Sequence, residues 1–140
     1  MAGLTLTVVS PEREVLREDG VTLILAPSVD GQLGILPRHA PLITQLAPGT
    51  LELRRGADSQ HFSITGGFLE VMNDTVTVLA DASESASEIS RERAEAAREA
   101  ALRDLDAARR THDDVMTTQA RLALLRALAR LRTVERSQRG

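Results

Sequence analysis

Glycine and proline are confined to one part of this 140-residue chain, and their distribution restricts its fold more than any other feature. All five prolines and eight of the nine glycines lie in the first 67 residues, whereas from Ser83 onward the only glycine is the last residue. Both residue types interrupt helices and mark turns. We therefore predict a unit of short strands at residues 1–82 and a helical unit at residues 83–140.

Most of the first unit alternates apolar and polar residues, which is typical of half-buried strands. Turn-forming pairs such as Asp30-Gly31 and Pro48-Gly49 separate these segments at short intervals. Such spacing indicates an antiparallel β-sandwich, or flattened barrel, followed by helices, which is an α+β fold. The predicted strands are residues 4–10, 21–27, 42–46, 49–55, 61–66 and 68–80.

The second unit repeats its apolar residues at steps of three and four, which places them on one face of a helix. The spacing of Ser85 and Glu88 matches a capping box and predicts a helix start near residues 85–90. Residues 111–114 interrupt the pattern, and Asp113 is the expected N-cap of a second helix. A connection this short predicts an antiparallel two-helix hairpin. Its apolar stripes are Ala94, Ala97, Ala101, Leu105 and Ala108, then Leu124, Leu128, Leu131 and Val134, broadened by Leu122, Leu125 and Ala129.

Few residues are suited to chemistry. The chain has no cysteine, so disulfides, thiolate metal sites and thiol catalysis are excluded. Its two aromatic residues, Phe62 and Phe68, are expected in the core and leave no stacking platform for bases or sugars. The three histidines, at positions 39, 61 and 112, lack metal-ligand spacing, and there is no phosphate-binding glycine motif. We predict no catalytic residue, no metal site and no activity of the chain alone.

The net charge of −3 hides an asymmetry along the chain. Residues 119–140 carry six arginines and one acidic residue, whereas residues 1–83 carry five arginines and ten acidic residues. The C-terminal end therefore offers a cationic rod to an acidic partner. A nucleic acid is not the expected partner, because the pI is about 5.6 and aromatic residues are scarce. Neither a signal segment nor a membrane span is apparent, so a cytoplasmic protein without direct membrane insertion is expected.

Three motifs follow one another in the first unit: GQLGILPRHAPLITQLAPGTL at residues 31–51, SITGGFLEV at residues 63–71 and DTVTVLAD at residues 74–81. They closely resemble the epsilon subunit of bacterial and chloroplast F-type ATP synthases, where the pattern is approximately G-E-L-G-I-L-P-G-H-A-P-L-x-T-x-L-x-P-G, then S-G-G-F-L-E-V, then V-T-V-L-A. The resemblance covers essentially the whole chain. It implies a non-catalytic central-stalk subunit that supports coupling of proton translocation to ATP synthesis, at the cytoplasmic face of the cell membrane.

The resemblance also implies partners. In the family the sandwich lies against the gamma subunit and the membrane-embedded c-ring, so Asp30, Gly31 and Gln32 are expected to contact the ring. Arg38 and His39 are expected to contact gamma. The same stretch could instead serve only to shape the sandwich.

Two residues of this stretch depart from the family pattern. Gln32 replaces a common glutamate and removes a charge from the expected ring contact, whereas Arg38 replaces a common glycine and adds one. Gly31 and Gly34 are expected to allow a tight turn with positive φ. The surrounding prolines are expected to stiffen it into a rigid, partly apolar protrusion.

The hairpin is the regulatory part of the family. Packed down, it lies on the sandwich; extended, it rises along gamma into the head formed by the alpha and beta subunits and blocks ATP hydrolysis. We expect a population shift between the two packings. We also expect a compact isolated subunit. The arginines expected to meet acidic segments of the catalytic beta subunits are Arg121, Arg126, Arg130, Arg132 and Arg136.

Some members of the family bind regulatory ATP at the hairpin through a motif like I/L-D-x-x-R-A. In this chain Ile89, Arg93 and Ala94 match the motif and Ser90 replaces the aspartate. On the second helix, Gln119 stands where some members carry an arginine, whereas Arg126 is kept. Helix capping by Ser90 and simple surface charge at Arg93 are the alternative interpretations.

Two other functions are open at this point. One is a sandwich-plus-hairpin interaction module of another complex, which predicts no affinity for gamma. The other is an independent hydrolase, which predicts turnover by the pure chain.

Overall fold

The computed structural model describes residues 3–139, with all side chains except those of Arg13 and Val15. The order of elements confirms the α+β class, with strands first and a helical hairpin after them. The strands are β1 (Leu4–Ser10), β2 (Arg13–Val21), β3 (Leu23–Ser28), β4 (Gly31–Ile35), β5 (Leu42–Leu46), β6 (Gly49–Arg55), β7 (Asp58–Ile64), β8 (Gly67–Met72), β9 (Thr75–Ala80) and β10 (Ser83–Ser85). The helices are α1 (Arg91–Arg110) and α2 (Asp114–Arg139), preceded by a 3₁₀ turn at Ala86–Glu88.

The strands form one sheet that bends over a single core. Its order is β10-β7-β6-β3-β5-β8-β9-β1-β2, and β4 pairs with β3 beside this path. All of these pairs are antiparallel except β1 with β9, which is parallel. The two arms approach each other where Arg55 on β6 donates to Glu18 on β2 at 2.7 Å. The predicted flattened sandwich is therefore confirmed, with one parallel pair in it.

The core lies between the two arms of the sheet. Alternate residues of each strand point inward, as the two-residue period requires. On β8, for example, Leu69 and Val71 are buried while Phe68 and Glu70 between them are exposed. The largest fully buried side chains are Leu4, Leu6, Ile24, Ile35, Leu51, Leu53, Ile64 and Leu69, with the four valines Val8, Val21, Val71 and Val76.

The structure corrects two expectations about the first 35 residues. The strand β2 was not predicted, and the segment predicted as a turn with two glycines at positive φ is the strand β4. Only Gly31 has a positive φ, at 120°. Gly34 lies within β4 opposite Leu25.

Capping interactions fix the ends of the helices. Ser90, rather than Ser85, caps α1, because its hydroxyl accepts from the Arg93 N–H at 3.3 Å. The Ser85–Glu88 pair instead closes the 3₁₀ turn, with the Ser85 N–H donating to Glu88 Oε1 at 3.1 Å. Asp113 caps α2 as predicted, since its Oδ1 accepts from the Met116 N–H at 3.0 Å.

The hairpin packs through small side chains and lies on the sandwich. Its buried residues are Ala94, Ala101, Leu105 and Ala108 on α1, and Ala120, Ala127, Ala129, Thr133 and Val134 on α2. Leu122 and Leu125 remain 45% and 42% exposed, so the leucine face is only partly covered. Helix α2 contacts β6 and β7, so the hairpin is packed down on the sandwich in this structure.

The boundary between the two predicted units stays a prediction. β10 pairs with β7 through Ser83 and Ile64, so the sheet continues a few residues past Ala82. Residues 1, 2 and 140 of the predicted units lie outside the described residues.

Candidate functional site

The turn between β3 and β4 holds the residues expected at the ring. Asp30, Gly31 and Gln32 are all exposed. Ser28 orders the turn: its hydroxyl donates to the Gly31 carbonyl at 2.6 Å and accepts from the Asp30 N–H at 3.2 Å. The turn is therefore an exposed element with a defined backbone, which suits a docking surface.

The loop between β4 and β5 holds Arg38 and His39. Arg38 lies in the left-handed region, with φ at 70°, and its N–H donates to Asp74 Oδ1 at 2.6 Å. His39 Nδ1 donates to the Ala40 carbonyl at 2.7 Å. A non-glycine residue at this φ carries strain of about 1–2 kcal/mol, which the contact with Asp74 helps to offset.

The structure separates these two groups of residues. The β3–β4 turn and the β4–β5 loop lie at opposite ends of β4, which has five residues and is about 17 Å long at ~3.3 Å per residue. The stretch 31–44 is therefore not a single protrusion. It presents two contact regions, one at each end of the sandwich.

An exposed apolar patch lies on the outer face of β5, β8 and β9. It consists of Ile43, Phe68 and Leu79, which are 70%, 53% and 56% exposed. Together with Glu70 and Thr77 they line a shallow cavity of about 220 Å³. The placement of Phe68 in the core was wrong: Leu69 and Val71 alternate inward, so the period of two puts Phe68 outside. That alternation was the signal that could have found the patch.

The outer face of β6 and β7 is covered by α2, and the contact is polar. At its centre, Thr133 donates to the Ala129 carbonyl at 2.8 Å, so the Thr50 hydroxyl donates to Thr133 Oγ1, also at 2.8 Å. The buried polar side chains of this surface, which we call the polar seam, are Thr50, Glu52, His61, Ser63, Ser83 and Thr133.

Ion pairs flank the centre of the polar seam. Within the sandwich, Glu52 is paired with Arg54, with Nε to Oε2 at 2.6 Å, and its Oε1 lies 3.2 Å from His61 Nε2. On the other side Arg130 Nε donates to Glu84 Oε1 at 2.6 Å, which ties α2 to the segment leading into the hairpin. Among the described residues, the Thr50–Thr133 hydrogen bond and the Arg130–Glu84 ion pair join the hairpin to the sandwich.

Two hydroxyls of the polar seam are not satisfied. Among the described residues, Ser63 Oγ and Ser83 Oγ are buried without a hydrogen-bond partner. Each such group costs about 1–3 kcal/mol relative to its hydrated state.

The five expected inhibitory arginines have different surroundings. Arg121 and Arg126 are exposed on α2, and Arg130 is paired with Glu84. Arg132 and Arg136 lie toward the β3–β4 turn, where both line a cavity with Gly31 and Gln32. With the hairpin docked, Arg130 therefore contacts the segment before the hairpin, Arg132 and Arg136 lie at the β3–β4 turn, and Arg121 and Arg126 face solvent.

The segment that resembles an ATP motif surrounds a cavity of about 200 Å³ at the start of α1. Ile89, Ser90, Arg93 and Ala94 line it. The residue of α2 that reaches this cavity is Arg130; Arg126, expected there, is not among the lining residues. The register of the hairpin, which the motif cannot specify, decides which arginine lies opposite it.

The described part of the chain shows no other chemical centre. Within residues 3–139, no three His, Asp or Glu side chains are placed to hold a metal ion. Neither helix there is long and apolar enough to cross a membrane.

Residues 3–86 match the family described as ATP synthase, Delta/Epsilon chain, beta-sandwich domain. The ATP synthase epsilon chain of Symbiobacterium thermophilum is 42% identical over 94% of this chain and 93% of its own length. That of Herpetosiphon aurantiacus is 44% identical over 94% of both. The chain belongs to the ATP synthase epsilon chain family. The resemblance inferred from the three motifs is confirmed.

Solved structures share the fold. A chain of the Euglena gracilis mitochondrial ATP synthase, in a structure of its OSCP, F1 and c-ring in rotational state 1, superposes with a TM-score of 0.82 at 26% identity. The match covers 99% of this chain and 82% of that one. A chain from the central stalk and c-ring of the Tetrahymena thermophila mitochondrial ATP synthase gives a TM-score of 0.53 at 25% identity, over 61% and 68% of the two chains.

Replacing Arg38 by the glycine common in this epsilon family should stabilise the isolated chain. Relief of the left-handed strain outweighs the extra freedom that glycine gives the unfolded state, for a net gain of about 0.5–1 kcal/mol. Urea unfolding measures it. The control, Arg38→Ala, removes the side chain but keeps the strained φ and should show no gain. An equal gain in both variants would mean that the side chain, not φ, is responsible.

The Thr50–Thr133 contact is tested by Thr133→Val, which keeps the shape and leaves the Thr50 hydroxyl buried without its acceptor. The free energy of unfolding should fall by about 1–2 kcal/mol, measured as the urea dependence of the helical circular-dichroism signal. Thr118→Val is the matched control, because Thr118 is an exposed threonine of the same helix whose hydroxyl bonds only to the Asp114 carbonyl. Equal losses in the two variants would contradict a role for the buried contact.

Proposed function

We propose that this epsilon subunit connects the central stalk of its ATP synthase to the c-ring through the sandwich and restrains ATP hydrolysis through the hairpin. The observation that carries the proposal is the polar seam. Two units whose contact includes buried polar side chains expose less hydrophobic surface when they separate, because water can replace the lost partners. As an epsilon chain it is a non-catalytic subunit, so its contribution is mechanical and regulatory.

The ring contact is assigned to Asp30, Gly31 and Gln32. Their turn is exposed, and the Ser28 hydroxyl holds its backbone in one shape. A preordered turn loses little conformational entropy on binding. This suits an element that stays attached while the rotor turns.

The gamma contact is assigned to the β4–β5 loop, with Arg38 and His39, together with the apolar patch of Ile43, Phe68 and Leu79. Ile43 is the patch residue nearest the loop, because β5 begins at Leu42, whereas Phe68 and Leu79 pair with each other farther along the sheet, beside Gln45. An apolar centre with a polar rim is the usual composition of a stable protein interface. Gamma is the central-stalk partner that would cover this patch.

The hairpin is the inhibitory element. Helices of 20 and 26 residues span about 30 and 39 Å at ~1.5 Å per residue, so opening the hairpin roughly doubles its reach toward the catalytic head. Arg121, Arg126, Arg130, Arg132 and Arg136 would then meet acidic segments of the beta subunits. The two packings form a two-state equilibrium in which the polar seam stabilises the docked state.

The proposed ring contact also implies a position at the membrane surface, without insertion into the membrane. Contact with the c-ring would hold it at the cytoplasmic face of the cell membrane as a peripheral subunit of the complex.

The proposal is tested by ATP hydrolysis of a catalytic head depleted of epsilon and titrated with the chain. A version ending at Glu88, which keeps β10 and the 3₁₀ turn, should bind the head without inhibiting it, whereas the full chain should bind and inhibit. Absence of binding by either version would favour an interaction module of another complex, and turnover by the pure chain would indicate a hydrolase.

A double variant tests whether exposed arginines of α2 contribute to inhibition. Arg121→Gln with Arg126→Gln should weaken inhibition by roughly fivefold, since two exposed ion pairs are worth about 1 kcal/mol together. Arg130 is left intact because its loss would also release the hairpin from Glu84. Arg103→Gln with Arg109→Gln removes the same charge from α1 and should leave inhibition unchanged. Equal inhibition by both double variants would refute a role for these two arginines.

The regulatory ATP site at Ile89, Arg93, Ala94 and an arginine of α2 remains a separate prediction. The cavity is smaller than the roughly 300 Å³ at which small-molecule sites begin, and Glu84 already holds Arg130. We expect calorimetry with millimolar ATP to give no heat of binding. A saturable heat that disappears in Arg93→Gln would establish the site.

A further inference from the structure

The last turns of α2 place two arginines against the turn between β3 and β4. Arg132 and Arg136 line a cavity of about 240 Å³ with Ser28, Gly31 and Gln32. Being four residues apart, they lie on one face of the helix. Among the described side chains, neither arginine takes part in an ion pair.

The turn and this part of α2 are rigidly connected. Thr133, between the two arginines in sequence, is bonded to Thr50 at the start of β6. The preceding Gly49 packs so closely on Pro27 that a Cβ there would lie 2.6 Å from the proline Cβ. Pro27 in turn pairs with Gln32 in the β3–β4 register. Three adjacent strands therefore join the turn to Thr133.

The charge of this region is not balanced within the chain. Gln32 stands where the family pattern commonly has glutamate, and an amide cannot neutralise a guanidinium. The acid of the turn, Asp30, is exposed, and its carboxylate pairs with neither arginine. With the hairpin docked, two arginines without an ion pair border the turn assigned to the ring, and Arg136 also lines a cavity with Glu52 and Asp58 on its other side.

We propose that the β3–β4 turn, Arg132 and Arg136 form a composite docking surface for acidic side chains of the c-ring, and that ring binding thereby favours the docked hairpin. The inference rests on the proposed ring contact. Because the arginines belong to α2, the complete surface exists only while α2 is docked. A ring that binds the complete surface more tightly than the bare turn shifts the equilibrium toward docking.

This coupling would sense whether the ring is attached. A catalytic head that has lost its ring can only hydrolyse ATP, and in that state α2 would lose one of the contacts that hold it down. The hairpin would then rise and inhibit. In the intact enzyme the ring would hold the hairpin docked and leave synthesis unhindered.

The test uses spin labels on cysteines at Ala57 and Gln119, which are unique in a chain without native cysteine. The chain is labelled before reassembly, and the distance distribution is measured in the intact synthase and in the head with gamma but no ring. The ratio of docked to lifted hairpin should be about fivefold or more higher in the intact synthase. Arg132→Gln with Arg136→Gln should make the two ratios equal, whereas Arg103→Gln with Arg109→Gln should preserve their difference.

Gln32→Glu provides a gain-of-function variant. It supplies a carboxylate from within the chain, so it should raise the docked ratio of the ringless head and reduce the further effect of the ring. A cross-link from Asp30→Cys to the ring tests the ring contact separately from the composite surface. If the cross-link forms but the ring leaves the docked ratio unchanged, the composite surface is refuted and the ring contact stands. If no cross-link forms, the ring contact itself is refuted.

Discussion

The outer face of β6 and β7 determines how the two parts of this molecule relate. This strand pair is buried on both sides, because its inner residues lie in the core while α2 covers its outer residues. The inner residues are apolar, such as Leu51 and Leu53, and the outer ones are polar, such as Thr50 and Glu52. Hydrophobic burial therefore builds the sandwich, whereas directional polar contacts fasten the hairpin. Two kinds of interaction on one strand pair allow one part to stay folded while the other moves.

The hairpin also buries little apolar surface between its two helices. Its interior is largely alanine, which buries little surface, and leucines such as Leu122 and Leu125 face outward. A helix pair held by small residues brings its backbones close but gains less from burial than a leucine seam would. Its exposed leucines remain available to the surfaces it meets when extended. Weak internal packing and available apolar side chains are both properties of an element that works in two environments.

Sequence patterns predicted those parts of the fold that depend on local periodicity. Most strands, both helices and the Asp113 cap follow from alternation, helical spacing and capping chemistry. The strand β2 was missed because five of its nine residues are charged; it lies at the end of the sheet, where charge is usual. The strand β4 was missed because its glycines favour a turn, and only its pairing with β3 makes it a strand. The local composition of residues 31–35 does not predict that they pair with β3.

The candidate site was predicted less completely, because its assembly depends on register. The motifs identified Asp30 to Gln32 and Arg38, but not that they lie at opposite ends of β4. The charge count identified the arginines of α2, yet which of them meets Glu84 and which meets the turn depends on how the hairpin closes. The polar seam was not predicted, since Thr50 and Thr133 are ordinary threonines until the fold brings them together.

The parallel pairing of β1 with β9 bears on how the chain reaches this structure during translation. Leu6 pairs with Val76, so the first strand to leave the ribosome waits for the last long strand of the sandwich. Contacts this distant in sequence form slowly, and the sandwich cannot close before Ala80 has emerged. The edge of the β6–β7 face is formed by β10, which pairs with β7, so this face too is complete only after Ser85 has emerged. An unfinished sandwich thus has no finished surface on which a nascent α2 could settle, and the regulatory element is the last part of the chain to find its place.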